Sequence, residues 1–185
     1  MGFRLLGLLL LVVAALSPAR ASADQKDPRL SGLFDRLKVT ESELEARALE
    51  ADIWRIWGES DDPGAAAMLR RGEAAMQEGD YPGALAVLDA LIARQPTFAE
   101  AWNKRATLYF LMGDFDSSVA DIEKTLELEP RHFGALSGLA QIDLALGRKK
   151  AALKVFEAAL AIDPHLQGAK AAVETLKKEA EGEPT

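Results

Sequence analysis

Two histidines, His132 and His165, are the residues best suited to metal or acid–base chemistry in this chain, which has no cysteine at all. Thiolate chemistry and disulfides are therefore excluded. Each histidine follows closely on a proline, Pro130 and Pro164. That places the pair at equivalent turns of two successive units, whereas metal ligands must converge on one point. Each imidazole is expected to cap or pack a turn. The acidic runs Glu41, Glu43, Glu45 and Asp61-Asp62 fall at a helix start and in a loop. They read as capping and solubility rather than as a carboxylate pair set up for proton transfer. There is no glycine-rich phosphate loop and no dinucleotide fingerprint. No catalytic residue, metal or cofactor is expected, so function must come from shape and surface.

The elements that set that surface are legible as a period. Gly79, Gly113 and Gly147 are 34 residues apart, and so are Pro96, Pro130 and Pro164. In the registers 65–98, 99–132 and 133–166 a small residue falls at the eighth place (Gly72, Ala106, Ala140). Another falls at the twentieth (Ala84, Ser118, Ala152), and a large apolar residue at the twenty-fourth (Leu88, Ile122, Phe156). Small residues at fixed places let two helices approach closely, and the large one fills the gap between them. The mid-unit glycine ends the first helix in the left-handed conformation. Asp80 and Asp114 follow as caps for the second helix, while Arg148 makes a weaker one. Proline prevents continuation of the second helix. Helices are expected over 65–78, 81–94, 99–112, 115–128, 133–146 and 149–162.

These residues resemble the tetratricopeptide repeat. The second unit carries Trp102, Ala106, Tyr109, Gly113, Leu126 and Pro130 at the family's places. The third carries Leu139, Ala140, Gly147, Ala152, Phe156, Ala159, Leu160 and Pro164. The first is looser, with Met68 where Trp would stand, and Arg71 and Arg105 stand where the pattern has Leu. The resemblance implies an all-α, right-handed superhelical solenoid of three hairpins between N- and C-terminal capping helices. It also implies a non-catalytic protein- or peptide-binding scaffold whose first helices line a concave groove. The groove positions it implies include Leu69, Glu73, Met76, Asn103, Thr107, Phe110, Gln141 and Leu144. Met76, Phe110 and Leu144 form an apolar ladder, either for a partner or for packing adjacent helices together. Gly134 and Gly138 leave part of the third groove helix bare, permitting close approach by a backbone. The chaperone-binding clamp for an acidic tail does not match: Leu69, Glu73, Gly134 and Gly138 stand where its Lys, Arg and Asn side chains are wanted. Asn103, Lys104 and Arg105 read as a solvated helix face.

Outside the repeats, residues 24–31 read as a leader and Ser31 to Lys38 as a short helix. Thr40 to Glu43 forms a capping box before a helix running to Trp57. Its apolar stripe is Leu44, Ala48, Leu49, Ile53, Ile56 and Trp57. Residues 24–64 are thus expected to cover the first repeat as an N-terminal cap, and residues 167–185 to form a C-terminal capping helix and tail. Trp54 either packs on the first repeat or is partly exposed for a partner.

The first 23 residues read as a secretory signal peptide: Arg4, an apolar run from Leu5 to Leu16, then Ala19-Arg20-Ala21-Ser22-Ala23. Cleavage follows Ala21 or, preferably, Ala23. Removing it shifts the formal charge from −7 to −9, which disfavours nucleic acid and anionic lipid as partners. With no cysteine to accept a lipid, the expectation is a periplasmic adaptor with a protein or peptide partner and no integral membrane association. The alternatives are a self-associating module, such as a homodimer, and a non-catalytic subunit of an envelope complex.

Overall fold

A computed structural model describes residues 27–182; the segment expected to be a signal peptide lies outside them, as do the last three residues. Among the described residues there are nine helices and no strand: α1 (Pro28–Val39), α2 (Glu43–Trp57), α3 (Pro63–Glu78), α4 (Tyr81–Arg94), α5 (Ala99–Met112), α6 (Phe115–Leu128), α7 (Phe133–Ala145), α8 (Lys149–Ile162) and α9 (Gln167–Glu181). The helices α3 to α8 pair as three hairpins, stacked so that α4 meets α5, α6 meets α7, and α9 closes the far end against α8.

The periodic residues do the work their spacing implies. Gly79, Gly113 and Gly147 have φ of 78°, 78° and 71°. In each unit the next residue's N–H reaches back to the helix: Asp80 to Ala75, Asp114 to Tyr109, Arg148 to Asp143. Asp80 and Asp114 cap α4 and α6 through their carboxylates, whereas Arg148 provides no side-chain cap for α8. Within each hairpin the small and large positions are buried together. A Cβ on Gly72 would fall 3.0 Å from Leu88 Cδ2, and Ser118 Oγ donates to the Ala106 carbonyl at 2.7 Å. Arg105, which departs from the repeat pattern, ties three helices. It grips Asp121 of α6 at 2.7 and 2.8 Å and Asp89 of α4 at 2.6 Å, and lies over the Trp102 ring. Hydrogen bonding to Asp121 is the chief reason its guanidinium is held more firmly protonated than usual.

The N-terminal hairpin departs from expectation. The α1 helix starts at Pro28, capped by Asp27, so the end of the expected leader is helical. Thr40 is the C-cap of α1, its N–H bonded to Arg36 O, and it is Ser42 that caps α2 by accepting from Glu45 N–H. The N-cap of α2 therefore lies two residues later than expected, and Glu45 accepts from the Thr40 hydroxyl rather than from the Ser42 N–H. Leu44 is 77% exposed and Ala48 is exposed, while Ala46 joins Leu49, Ile53, Ile56 and Trp57 in the core. The α3 helix begins at Pro63 rather than at residue 65.

The larger correction concerns placement. The α1–α2 hairpin does not stack on the first repeat as an end cap. It lies along the edge of the solenoid where successive hairpins join. Ser60, just beyond α2, donates to Gln95 in the first turn. Trp54 and Trp57 pack on His132 at the second. His165 in the third donates through Nε2 to the Thr40 carbonyl at 3.1 Å. The seam is a continuous apolar cluster in which Leu30, Phe34, Leu37, Leu49, Ile53, Ile56 and Trp57 meet Phe133, with Ile162 and Leu166 packed alongside. Burying each large side chain stabilises by about 1.5–3 kcal/mol, so this strap is integral to the fold.

Candidate partner-binding groove

The turn that receives the strap is built around His132, which is fully buried. Its Nδ1 accepts from Ala135 N–H at 3.1 Å and so caps α7. A ring nitrogen that accepts from a backbone amide carries no proton, so Nε2 bears it and donates to Glu100 Oε2 at 3.0 Å. The Trp57 indole stacks on the imidazole at 4.1 Å with an 11° tilt. His132 thus caps and packs a turn, as its position after Pro130 suggests.

Glu100 is buried beside it, with Asn103 donating at 3.1 Å and the Lys104 ammonium 3.2 Å away. Burial alone would raise the pKa of its carboxyl. The His132 hydrogen bond and the charge of Lys104 outweigh this, and the group titrates below its ordinary range. Lys104 also bridges to Glu73 of α3 at 2.9 Å and sits over the Trp54 ring. Its burial works against protonation, but the charges of Glu100 and Glu73 prevail and hold it more firmly protonated. Asn103, Lys104 and Arg105 are accordingly not a solvated face: Asn103 is buried, and the two cations are partly buried and paired.

Two depressions open on the groove side. One lies between α5 and α7, with a volume of about 150 Å³. The buried Ala106, Ile122 and Ala135 form its apolar floor, Phe110, Asn103 and Thr107 line it, and the exposed Gln141 stands at its lip. Gly138 helps to keep it open by presenting no side chain. A Cβ at Gly138 would meet only Ile122 Cδ1, at 3.6 Å. The second is a wider cleft of about 450 Å³ between α2 and the helices α3 and α5, lined by Trp54, Arg55, Leu69, Arg70, Glu73 and Lys104 among others.

Of the eight expected groove residues, Asn103, Thr107, Phe110 and Gln141 meet at the first cavity. Leu69 and Glu73 border the second. Leu69 is only 3% exposed and belongs to the core of the first repeat, so it offers little surface to a partner. Met76 lies partly buried against that core and Phe110 against the α5–α7 core, while Leu144 is exposed. The three do not form a uniform open ladder. Gly134 is approached by the protein's own indole: a Cβ there would fall 2.4 Å from Trp54 Cη2. Trp54 is partly buried against Trp57, His132 and Phe133, so it packs on the turn into the third repeat rather than on the first. Nothing local in the sequence marks Trp54 as a groove wall; its proximity to Gly134 spans 80 residues.

Among the described residues no group of three or more His, Asp or Glu side chains is placed to hold a metal ion, and no helix is long and apolar enough to cross a membrane.

The hairpin stack and its groove define a helical-repeat scaffold. The family model for the tetratricopeptide repeat matches residues 44–99, 69–113 and 103–166, and the chain belongs to this family. A TPR repeat-containing protein of Rhizobium etli is 37% identical over 166 residues, covering 90% of this chain and 81% of that one. The Hsp70-Hsp90 organizing protein of Triticum aestivum is 31% identical over 114 residues, but the match covers 62% of this chain and only 20% of the relative. Among solved structures, the first TPR of Spaghetti (RPAP3), bound to the HSP90 peptide SRMEEVD, superposes with a TM-score of 0.61 at 20% identity, covering 65% of this chain and 96% of that one. The Sgt2 TPR domain of Aspergillus fumigatus gives 0.59 at 22% identity, over 66% of this chain and 86% of that one. These structures share the fold.

Proposed function

We propose that this protein is a non-catalytic periplasmic adaptor that holds a segment of a partner protein in its concave groove. The observation that carries this reading is the cavity between α5 and α7. Its apolar floor is sized for one aliphatic or aromatic side chain, and the exposed amide of Gln141 borders it. The first TPR of Spaghetti, which shares the fold and is bound to an HSP90 peptide, supports a peptide as the kind of partner. Here the groove cation Lys104 is already paired with Glu73 and Glu100, which favours an apolar anchor over an acidic tail. Export rests on the N-terminal pattern of Arg4, the Leu5 to Leu16 run and Ala21-Ser22-Ala23.

The test is a pull-down from periplasmic extract with residues 24–185, in parallel with Gly138→Leu, which fills the cavity. The variant must keep its helicity and melting temperature. A partner held by the natural chain and lost by the variant supports the cavity as the anchor; a partner retained by both places binding elsewhere.

One observation favours the second reading, self-association. Leu111, Met112, Leu144 and Leu146 are 49%, 47%, 37% and 42% exposed, clustered at the ends of α5 and α7. A mass that rises with concentration, and falls to the monomer in Leu111→Glu, would support a homodimer through this edge.

A further inference from the structure

Where the strap crosses the third turn, five ionisable groups meet. Glu43 and Glu50 come from α2, Asp163 and His165 from the turn, and Lys170 from α9. The α1 helix contributes the Thr40 carbonyl, which accepts from His165 Nε2. Asp163 is fully buried. Its Oδ1 accepts from His165 N–H at 2.9 Å, but its Oδ2, also buried, receives no N–H or hydroxyl donor. The Glu50 carboxyl lies within hydrogen-bonding reach of Asp163. Two carboxylates repel; only a proton carried by one of them turns this contact into a bond.

We propose that the Glu50–Asp163 pair is a proton-dependent latch, holding the N-terminal hairpin against the third repeat while the two carboxyls share a proton and loosening it as that proton leaves. Both groups are pushed upward from the usual carboxylate range, chiefly by burial and, for Glu50, by the neighbouring Asp163 charge. Groups whose pKa is raised on folding stabilise the folded contact at low pH, and that contribution is lost as pH rises through the raised value. The window therefore opens above the ordinary carboxylate range of about 4. Because Trp54 of the strap walls the groove at Gly134, loosening α2 also reshapes the binding face.

Hydrogen exchange on residues 24–185, followed from pH 5 to 8 and corrected for intrinsic rates, tests this. Loss of one proton on opening lowers the protection of α2 amides by up to about tenfold per pH unit, while α5 and α6 stay constant as the internal reference. Glu50→Gln, whose amide donates to Asp163 at any pH, flattens the profile; Asp163→Asn does the same and serves if the first variant folds poorly. A flat profile in the natural chain, or a slope surviving in both variants, overturns the latch. So does protection that increases with pH.

Discussion

Trp54 fills the space that a side chain at position 134 would need: a Cβ on Gly134 would lie 2.4 Å from Cη2 and 2.9 Å from Cζ2 of the indole. Glycine in a helix ordinarily costs about 1 kcal/mol relative to alanine, so replacing it should help unless something is in the way. Gly134→Ala is expected to destabilise by about 1–3 kcal/mol through overpacking. Gly138→Ala, four residues on with open space before it, should stabilise by up to about 1 kcal/mol. Urea unfolding of the two variants gives opposite signs, and adding Trp54→Ala to Gly134→Ala should remove part of the loss by clearing the clash.

His132 joins a helix cap to a buried carboxylate. Its replacement by alanine removes the cap on Ala135 N–H, takes one of the buried donors from Glu100 and vacates one face of Trp57. A cost of about 3–5 kcal/mol is expected, in line with breaking a buried hydrogen-bonded charge network. His165→Ala, at the equivalent turn but with one bond to a carbonyl, should cost about 1 kcal/mol. Denaturant midpoints should rank the two clearly, and equal costs would mean that the second turn is no more tightly tied than the third.

Arg105 stands where the repeat pattern has leucine, and its guanidinium fork is matched by the nearly buried Asp121. Arg105→Leu restores the family's residue type yet strands that carboxylate. A loss of about 3 kcal/mol is expected, with Asp121→Asn recovering part of it in the double variant. Stabilisation by Arg105→Leu alone would show that the ion pair contributes nothing.

The acid response has a definite sign at Glu100. Its pKa is lowered on folding, so its contribution is fully present above the ordinary value of about 4.3 and is lost as pH falls below that toward the lowered value. Stability of the natural chain should drop between pH 5 and 3 more steeply than that of Glu100→Gln, by up to about 1.4 kcal/mol per pH unit.

The repeat frame was visible because three copies of one helical hairpin must solve the same packing problem. Gly79, Gly113 and Gly147 had to be left-handed, and Ala84, Ser118 and Ala152 had to be small, so the spacing exposed the helices that carry Asn103, Thr107, Phe110 and Gln141. The strap has no such frame. Both Thr40-Glu43 and Ser42-Glu45 satisfy the capping pattern, and the choice depends on α1 continuing until Thr40 N–H reaches Arg36 O. The placement of α2 along the turns depends on Trp57 meeting His132 and on Asp163 meeting Glu50, contacts between residues 75 or more apart in the sequence. Local spacing carries no information about them. The burial of Leu69 is likewise a packing outcome: it borders the cleft by α2 but turns its side chain into the core of the first repeat.

The central claim, that a partner segment lies in the groove with its anchor between α5 and α7, is tested most directly by site-specific photo-crosslinking in periplasm. A benzophenone side chain at Gln141, on the lip of the cavity, should capture one discrete protein. The same group at Asp116, an exposed position on α6, should capture none. Crosslinking from position 116 alone, or from neither, would contradict the account.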